Sequence, residues 1–297
     1  MRTTILALAC AAATLAATPA VAQEQVDQWA DAHPQGDVEI ANLIAGSVEV
    51  SGSDEDRVHV TGRLGRDVER LEFRTEGKRT LIKLVIPSGT NQDVTSDLRV
   101  TLPKGSRLNV GTVSADIGVR SVEGGLQLQS VSGDIEAEVF GEDAQIKSVS
   151  GDIQVRGSGA ASLLTVTTVS GDATVTDVGG EIVVQTVSGD LEARAPSVRR
   201  ARINTTNGEA LLETALEKDA RVNMETINGD LTLVLRGEID AEFDLETFNG
   251  SIRSEFGPKA ERTSKYAPGT ELRFTEGQGS ARVVMETLNG GIIIRHE

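Results

Sequence analysis

Apolar residues fall on alternate positions ahead of each copy of a short turn. Four residues before the Ser or Thr that opens the turn stand Leu126, Ala144, Leu164, Ile182, Ala201, Val222, Phe243 and Val283. Two residues before it stand Leu128, Ile146, Val166, Val184, Ile203, Met224, Leu245 and Met285. The position after the second column, just before the turn, is polar in every copy: Gln129, Lys147, Thr167, Gln185, Asn204, Glu225, Glu246 and Glu286. A period of two marks a strand with one buried face. A second alternation follows each turn, as in Ile135-Ala137-Val139, Ile153-Val155, Leu191-Ala193, Leu231-Leu233-Leu235 and Ile292-Ile294.

The turn is itself a repeat. Ser130-Val-Ser-Gly-Asp-Ile135 returns as Ser148–Ile153, Thr168–Ala173 and Thr186–Leu191, with a weaker copy at Thr112–Ile117. Later copies replace Ser by Asn, at Thr205–Ala210, Thr226–Leu231, Thr247–Ile252 and Thr287–Ile292. From Ala115 through Gly133, Gly151, Gly171, Gly189, Gly208, Gly229 and Gly250 to Gly290, the steps are 18, 18, 20, 18, 19, 21, 21 and 40. A near-constant period of this size is the mark of a stacked repeat protein. Glycine supplies positive φ at the turn, and Asn tolerates it.

The pattern predicts an all-β chain: a single-stranded parallel β-solenoid (β-helix) of about 20-residue coils rising about 4.8 Å each, with an irregular β-rich N-terminal cap. Ser/Asn-Gly between alternating runs also fits hairpins, so an antiparallel β-sandwich of hairpin repeats is the alternative.

Along the chain, residues 1–22 read as a secretory signal peptide, with Arg2, an apolar run from Ile5 to Ala17, and Ala20-Val21-Ala22 before Gln23. Cys10, the single cysteine, raises lipidation as an alternative fate. Residues 23–36, with Trp29, read as a short mobile lead-in or an apolar lid. Residues 37–110 read as an irregular β-rich capping region, which a solenoid needs at an open edge. Residues 111–297 hold the repeats, with an insertion at about 253–280. That insertion contains Tyr266 and reads as one missing or replaced coil, or a surface loop. No later run is long and apolar enough to span a membrane.

The chain carries 45 acidic against 29 basic residues, a net charge of −16, which disfavours nucleic acid and anionic lipid as partners. Among its polar residues, the acids after the turn glycine stand out: Asp116, Asp134, Asp152, Asp172, Asp190, Glu209 and Asp230. Stacked about 4.8 Å apart they repel by roughly 0.9 kcal/mol per pair in water. Calcium binding by Asp134, Asp152, Asp172 and Asp190 is one reading; solvated turn residues that accept backbone N–H bonds are the favoured one. The column also lapses to Ser251 and Gly291. Asn207, Asn228, Asn249 and Asn289 suit amide stacking along the axis.

Catalysis finds little support. The three histidines, His33, His59 and His296, lie outside the regular array, and no metalloprotease, nucleophile-elbow or phosphate-loop motif occurs. Aromatic residues make up 3% of the chain, and Phe243 and Phe248 read as core, which leaves no aromatic platform for a sugar cleft. No catalytic, cofactor-binding or metal-binding residue is assigned, and no cofactor is expected.

The serial T-V-S-G-D-I and T-x-N-G-x-I units, Leu98-Arg-Val-Thr-Leu-Pro103 before the first unit, and Gly277-x-Gly279 ahead of Met285–Ile292 resemble the bacterial β-strand-repeat family labelled "putative adhesin". The resemblance covers about residues 37–297. It implies an exported solenoid of the bacterial envelope, periplasmic or at the cell surface, with no catalytic residues to carry over. The expected function is a non-enzymatic adhesin-like or scaffold protein that binds a protein or polysaccharide of the envelope. A polysaccharide-acting β-helix enzyme and an envelope-stress regulatory component are the alternatives.

Overall fold

The computed structural model describes residues 24–87, 94–263 and 268–297. The signal sequence, Cys10 and Tyr266 lie outside them. The described strands join one mixed sheet. It winds around a single apolar core, so each coil contributes one strand to a first ladder, a corner, and one strand to a second ladder.

The N-terminal region holds β1 (Glu24–Asp31), β2 (Asp37–Ser53), β3 (Arg57–Leu64), β4 (Arg70–Glu76), β5 (Arg79–Val85), β6 (Thr95–Pro103) and β7 (Arg107–Arg120). Long β2 and β7 each pass through both ladders and pair in parallel, Val38 with Leu108 and Val48 with Ile117. On the far side of β2 lie β5 and β6, also parallel to it. The first coil in sequence is therefore an interior rung. Outside it the pairing turns antiparallel: β3 on β6, β1 on β3, and β4 on β5. The lead-in forms an edge strand, β1, paired along β3. Its Val26 is buried, whereas Trp29 is 62% exposed.

The regular array runs through β8 (Leu126–Gln129), β9 (Ile135–Val139), β10 (Ala144–Lys147), β11 (Ile153–Gly157), β12 (Ala161–Thr167), β13 (Ala173–Thr176), β14 (Gly179–Gln185), β15 (Leu191–Asn204), β16 (Ala210–Asn228) and β17 (Leu231–Leu235). Equivalent residues stack in register and in parallel. Leu128, Ile146 and Val166 form one column, Ile135, Ile153 and Ala173 another. That excludes the hairpin sandwich. Leu128, Ile146 and Val166 are fully buried, as alternation requires when one face meets the opposite ladder. Burying each such side chain stabilises by about 1.5–3 kcal/mol.

The expectation of a purely parallel stack fails again at the C-terminal end. There the chain forms β18 (Ala241–Asn249), β19 (Ile252–Ser254), β20 (Glu261–Arg262), β21 (Thr270–Glu276), β22 (Ala281–Asn289) and β23 (Ile292–His296). β22 pairs in parallel with β16 on one side and β18 on the other. β23 likewise lies between β17 and β19. The last coil in sequence thus fills the rung that the chain skips between β17 and β18, which explains the step of 40. The insertion covers the outer edge instead: β21 lies antiparallel on β18, and β20 antiparallel on β21. An edge strand covered in this way offers no free ladder to another chain. Phe274 of β21 stacks on Phe243 with ring centroids 4.6 Å apart, and Phe256 meets both edge-on.

Asp240 fixes the turn from which β22 starts. Its Oδ1 accepts the N–H groups of Gln278 at 2.6 Å, Gly279 at 2.7 Å and Ser280 at 3.3 Å. The Ser280 hydroxyl holds the carboxyl below its ordinary value against the opposing loss of solvation, and the Ser280, Gln278 and Gly279 N–H groups add to the lowering. A carboxyl whose folded pKa is depressed stabilises the fold above its unfolded pKa, and that contribution disappears as pH falls through the folded value. Asp240→Ala is therefore expected to lower the melting temperature at pH 7. The gap to the parent should close as pH is taken below the ordinary carboxylate range, read by circular dichroism melts across pH. A gap independent of pH would rule out the charged turn.

Candidate interaction surface

The corner between the two ladders is a third stack. The N–H of its Ser or Asn donates to the carbonyl one place earlier in the preceding rung, as Ser150 to Val131, Ser170 to Val149 and Asn207 to Val187. From Gly171 onward the glycine N–H donates to the next rung, Gly171 to Ser188 O and Gly208 to Asn228 O. In the earlier rungs Gly133 and Gly151 bond locally instead, to the hydroxyls of Ser130 and Ser148. The residue after the acid donates to the acid's own carbonyl one rung on, Ile135 to Asp152 and Ile153 to Asp172.

The N–H of the acid has no backbone acceptor at these corners. The carboxylate below supplies one. Asp134, Asp152, Asp172, Asp190 and Glu209 donate to Oδ1 of Asp116, Asp134, Asp152, Asp172 and Asp190 at 2.8–3.0 Å. The Gly291 N–H closes the series on Asp230 at 2.6 Å. The column lapses at Gly291 and Ser251 because these are the last two rungs in space. One oxygen of each of these carboxylates is engaged in the scaffold, the role expected of solvated turn acids. Among the described residues, no group of three or more acids, histidines or cysteines is arranged to hold a metal.

The asparagines form an amide ladder in the spatial order. Asn228 donates to Asn207, Asn289 to Asn228 and Asn249 to Asn289, at 2.8–2.9 Å. Thr287 and Thr247 reach the glycine carbonyls of the rungs below, Gly229 and Gly290, at 3.2 and 2.8 Å. His59 faces solvent on β3 and meets Asp27 of β1 at 2.7 Å.

What the corner presents to solvent is apolar. The residue after the Ser or Thr points outward in every rung, and Val113, Val131, Val149, Val169, Val187, Ile227, Leu288 and Phe248 are each 43–47% exposed. Backbone pairing at the corner holds them in one row, interrupted only by half-buried Thr206. Phe248 belongs to this ridge, not to the core as expected; Phe243 is core at 1% exposure. The phase explains it. Phe243, Leu245 and Thr247 alternate inward, so position 248 points out. The signal was in the sequence as an apolar residue recurring at the second place of every turn but one.

At the C-terminal end a second row runs beside the ridge on the first ladder: Glu225, Glu286 and Glu246, adjacent in that order through the register of β16, β22 and β18. Between the rows lies an open groove of about 580 Å³, lined by Ile227, Leu288 and Phe248 on one side and the three glutamates on the other. Among the described residues none of these glutamates makes an ion pair, although Arg273, bonded to Asp244 at 2.8 Å, also feels the charge of Glu246. Loss of solvation, then the charges of Glu225, Glu246 and Asp244, raise the Glu286 carboxyl above its ordinary value. No helix among the described residues is long and apolar enough to cross a membrane.

Solved structures similar to the chain include a "putative adhesin" from Bacteroides fragilis NCTC 9343, 12% identical over 92% of this chain and 98% of the other, TM-score 0.45. Another, from Parabacteroides distasonis ATCC 8503, is 9% identical over 93% and 98%, TM-score 0.37. A "putative cell adhesion protein" from Clostridium sporogenes ATCC 15579 is 11% identical over 92% and 100%, TM-score 0.25. No curated protein matches the chain in sequence. The family profile described as Toastrack DUF4097 matches residues 31–251, from the edge of β1 to the corner after β18. With serial turn units and two stacked ladders across that span, the chain belongs to the Toastrack DUF4097 family.

Proposed function

We propose that the chain is an exported, non-enzymatic protein of the bacterial envelope that binds another macromolecule, protein or polysaccharide, through its outer surface, as an adhesin or scaffold. One observation carries this reading: the repeated polar groups of the corner hydrogen-bond to the next rung, while the same corners turn an apolar row, broken only at Thr206, to solvent. Contiguous exposed apolar surface of this kind marks interaction sites in soluble proteins. The "putative adhesin" label of similar structures agrees with it. Export rests on the signal-like residues 1–22.

The test is co-sedimentation of the full chain with isolated cell envelopes, with soluble reducing sugar measured in the supernatant. Saturable binding without sugar release is expected. Sugar release that one acid-to-amide change abolishes would establish an enzyme and overturn the proposal, as would failure to bind.

A further inference from the structure

The groove at the C-terminal end of the ridge combines three features: an apolar wall, a wall of unneutralised carboxylates, and a fixed repeat. We infer that it receives a basic amphipathic helix of a partner protein, with apolar side chains on Ile227, Leu288 and Phe248 and Lys or Arg on Glu225, Glu286 and Glu246. The inference rests on the binding role proposed above and names the surface and the chemistry of its partner.

Charge selects the class of partner. The glutamates border these three rungs of the ridge on one side, while on the other the corner column carries an acid only at Asp230, followed by Gly291 and Ser251. A second copy would bring the same acids face to face, in a chain already at −16. An anionic membrane meets the same repulsion. A basic partner gains complementarity along the glutamate border, where three carboxylates lie side by side.

Spacing selects the conformation. The glutamates recur once per rung, about 4.8 Å. One helical turn advances about 5.4 Å, so three successive turns stay within about 1–2 Å of three successive rungs. Same-face residues of a strand recur at about 6.6–6.8 Å and drift out of step by the second position. Helix-in-groove recognition also asks for apolar anchors at i, i+3/i+4 and i+7 on one stripe, which the row from Ile227 through Leu288 to Phe248 matches.

The probe is a synthetic leucine–lysine peptide, leucine on one helical face and lysine on the other, titrated into the full chain by calorimetry and circular dichroism. Saturable binding with a gain in helix is expected, weakening as salt is raised. The triple change Glu225→Gln, Glu246→Gln and Glu286→Gln should weaken it by about tenfold or more. So should Phe248→Ser with Leu288→Ser. The charge-matched triple Glu76→Gln, Glu142→Gln and Glu238→Gln, and Val131→Ser with Val149→Ser at the other end of the ridge, should leave it unchanged. Equal loss in the charge-matched control would mean diffuse attraction to an acidic surface and overturn the inference. So would absence of binding, binding without helix, ridge-dependent self-association in sedimentation, or ridge-dependent binding to zwitterionic vesicles in place of the peptide. Envelope binding that persists in the Phe248→Ser, Leu288→Ser variant would leave the broader proposal standing while this one fell.

Discussion

Gly229→Ala is expected to cost about 3–5 kcal/mol and to lower the melting temperature by about 10 °C or more, as read by calorimetry. Gly111→Ala should stay within about 0.5 kcal/mol. Both add one methyl group to a glycine at or next to a corner between the ladders, and their neighbours differ most. A Cβ at Gly229 would lie closer than 3.0 Å to the carbonyl of Gly208, whereas a Cβ at Gly111 meets nothing within 4 Å. The same clash recurs rung by rung: Gly151 faces the Gly133 carbonyl, Gly189 that of Gly171, Gly290 that of Gly229, Gly250 that of Gly290. The obstacle is backbone held in ladders on both sides, so it cannot swing away as a flexible side chain would. Gly229 adds a φ of 152°, outside the range that suits a side chain. Gly237→Ala isolates this second effect, because its φ is 75° with open space around it; a loss of about 1 kcal/mol is expected. If Gly229→Ala cost no more than Gly237→Ala, close approach between rungs would not be what demands glycine.

That contrast shows how far the sequence could be read. The turn glycines were legible as a column, but positive φ was the wrong reason for half of it. Gly189, Gly208, Gly229 and Gly290 have φ of 152–156°, while Gly133, Gly151, Gly171 and Gly250 are absent from the positive-φ set. Packing between rungs, which no single turn reveals, explains all eight. Alanine enters the column only at Ala115, where β2 and β7 run through the corner as unbroken strands and the paired residue is Gly46. The apolar columns were fully legible because alternation and repetition reinforce each other. The ridge was half legible: its valines stood in the motif, but Phe248 was taken for core because an aromatic beside an alternating run invites that reading. The antiparallel strands at both ends were not legible, since parallel and antiparallel strands here alike bury one face and alternate. Nor was the spatial order of the final coils. Phe243, Leu245 and Thr247 of β18 present the same pattern as Val283, Met285 and Thr287 of β22, so either could lie on β16.

Asn289→Cys is expected to form a disulfide with Asn228→Cys, and equally with Asn249→Cys, in the chain from Glu24 onward, whereas Asn228→Cys with Asn249→Cys should form none. Adjacent rungs stand about 4.8 Å apart, inside the 4.4–6.8 Å that a disulfide spans; two rungs stand at about 9.6 Å, beyond its reach. A bridge between 228 and 249 in the intact chain would restore sequential stacking and refute the inserted coil. Ending the chain at Ser280 removes Val283, Met285, Ile292 and Ile294, all within 1% of full burial. At about 1.5–3 kcal/mol each, their loss should lower the melting temperature by more than about 10 °C. The shortened chain also vacates the rung between β16 and β18. Because β18 carries the pattern of β22, it can move down one rung and place Thr247 and Asn249 beside Thr226 and Asn228. The pair that fails to bridge in the intact chain should then bridge in the shortened one. This reversal follows from the same degeneracy that hid the order from sequence. The antiparallel cover of β21 on β18 and the pairing of β22 with both β16 and β18 hold the native order, with the outer edge of β18 closed and the interior rung filled by the last coil. At the other end β2 occupies an interior rung between β7 and β5–β6. With early and late coils both held between neighbours, neither end of the stack can fray by releasing a terminal coil alone, unlike a simple array whose end repeats open first.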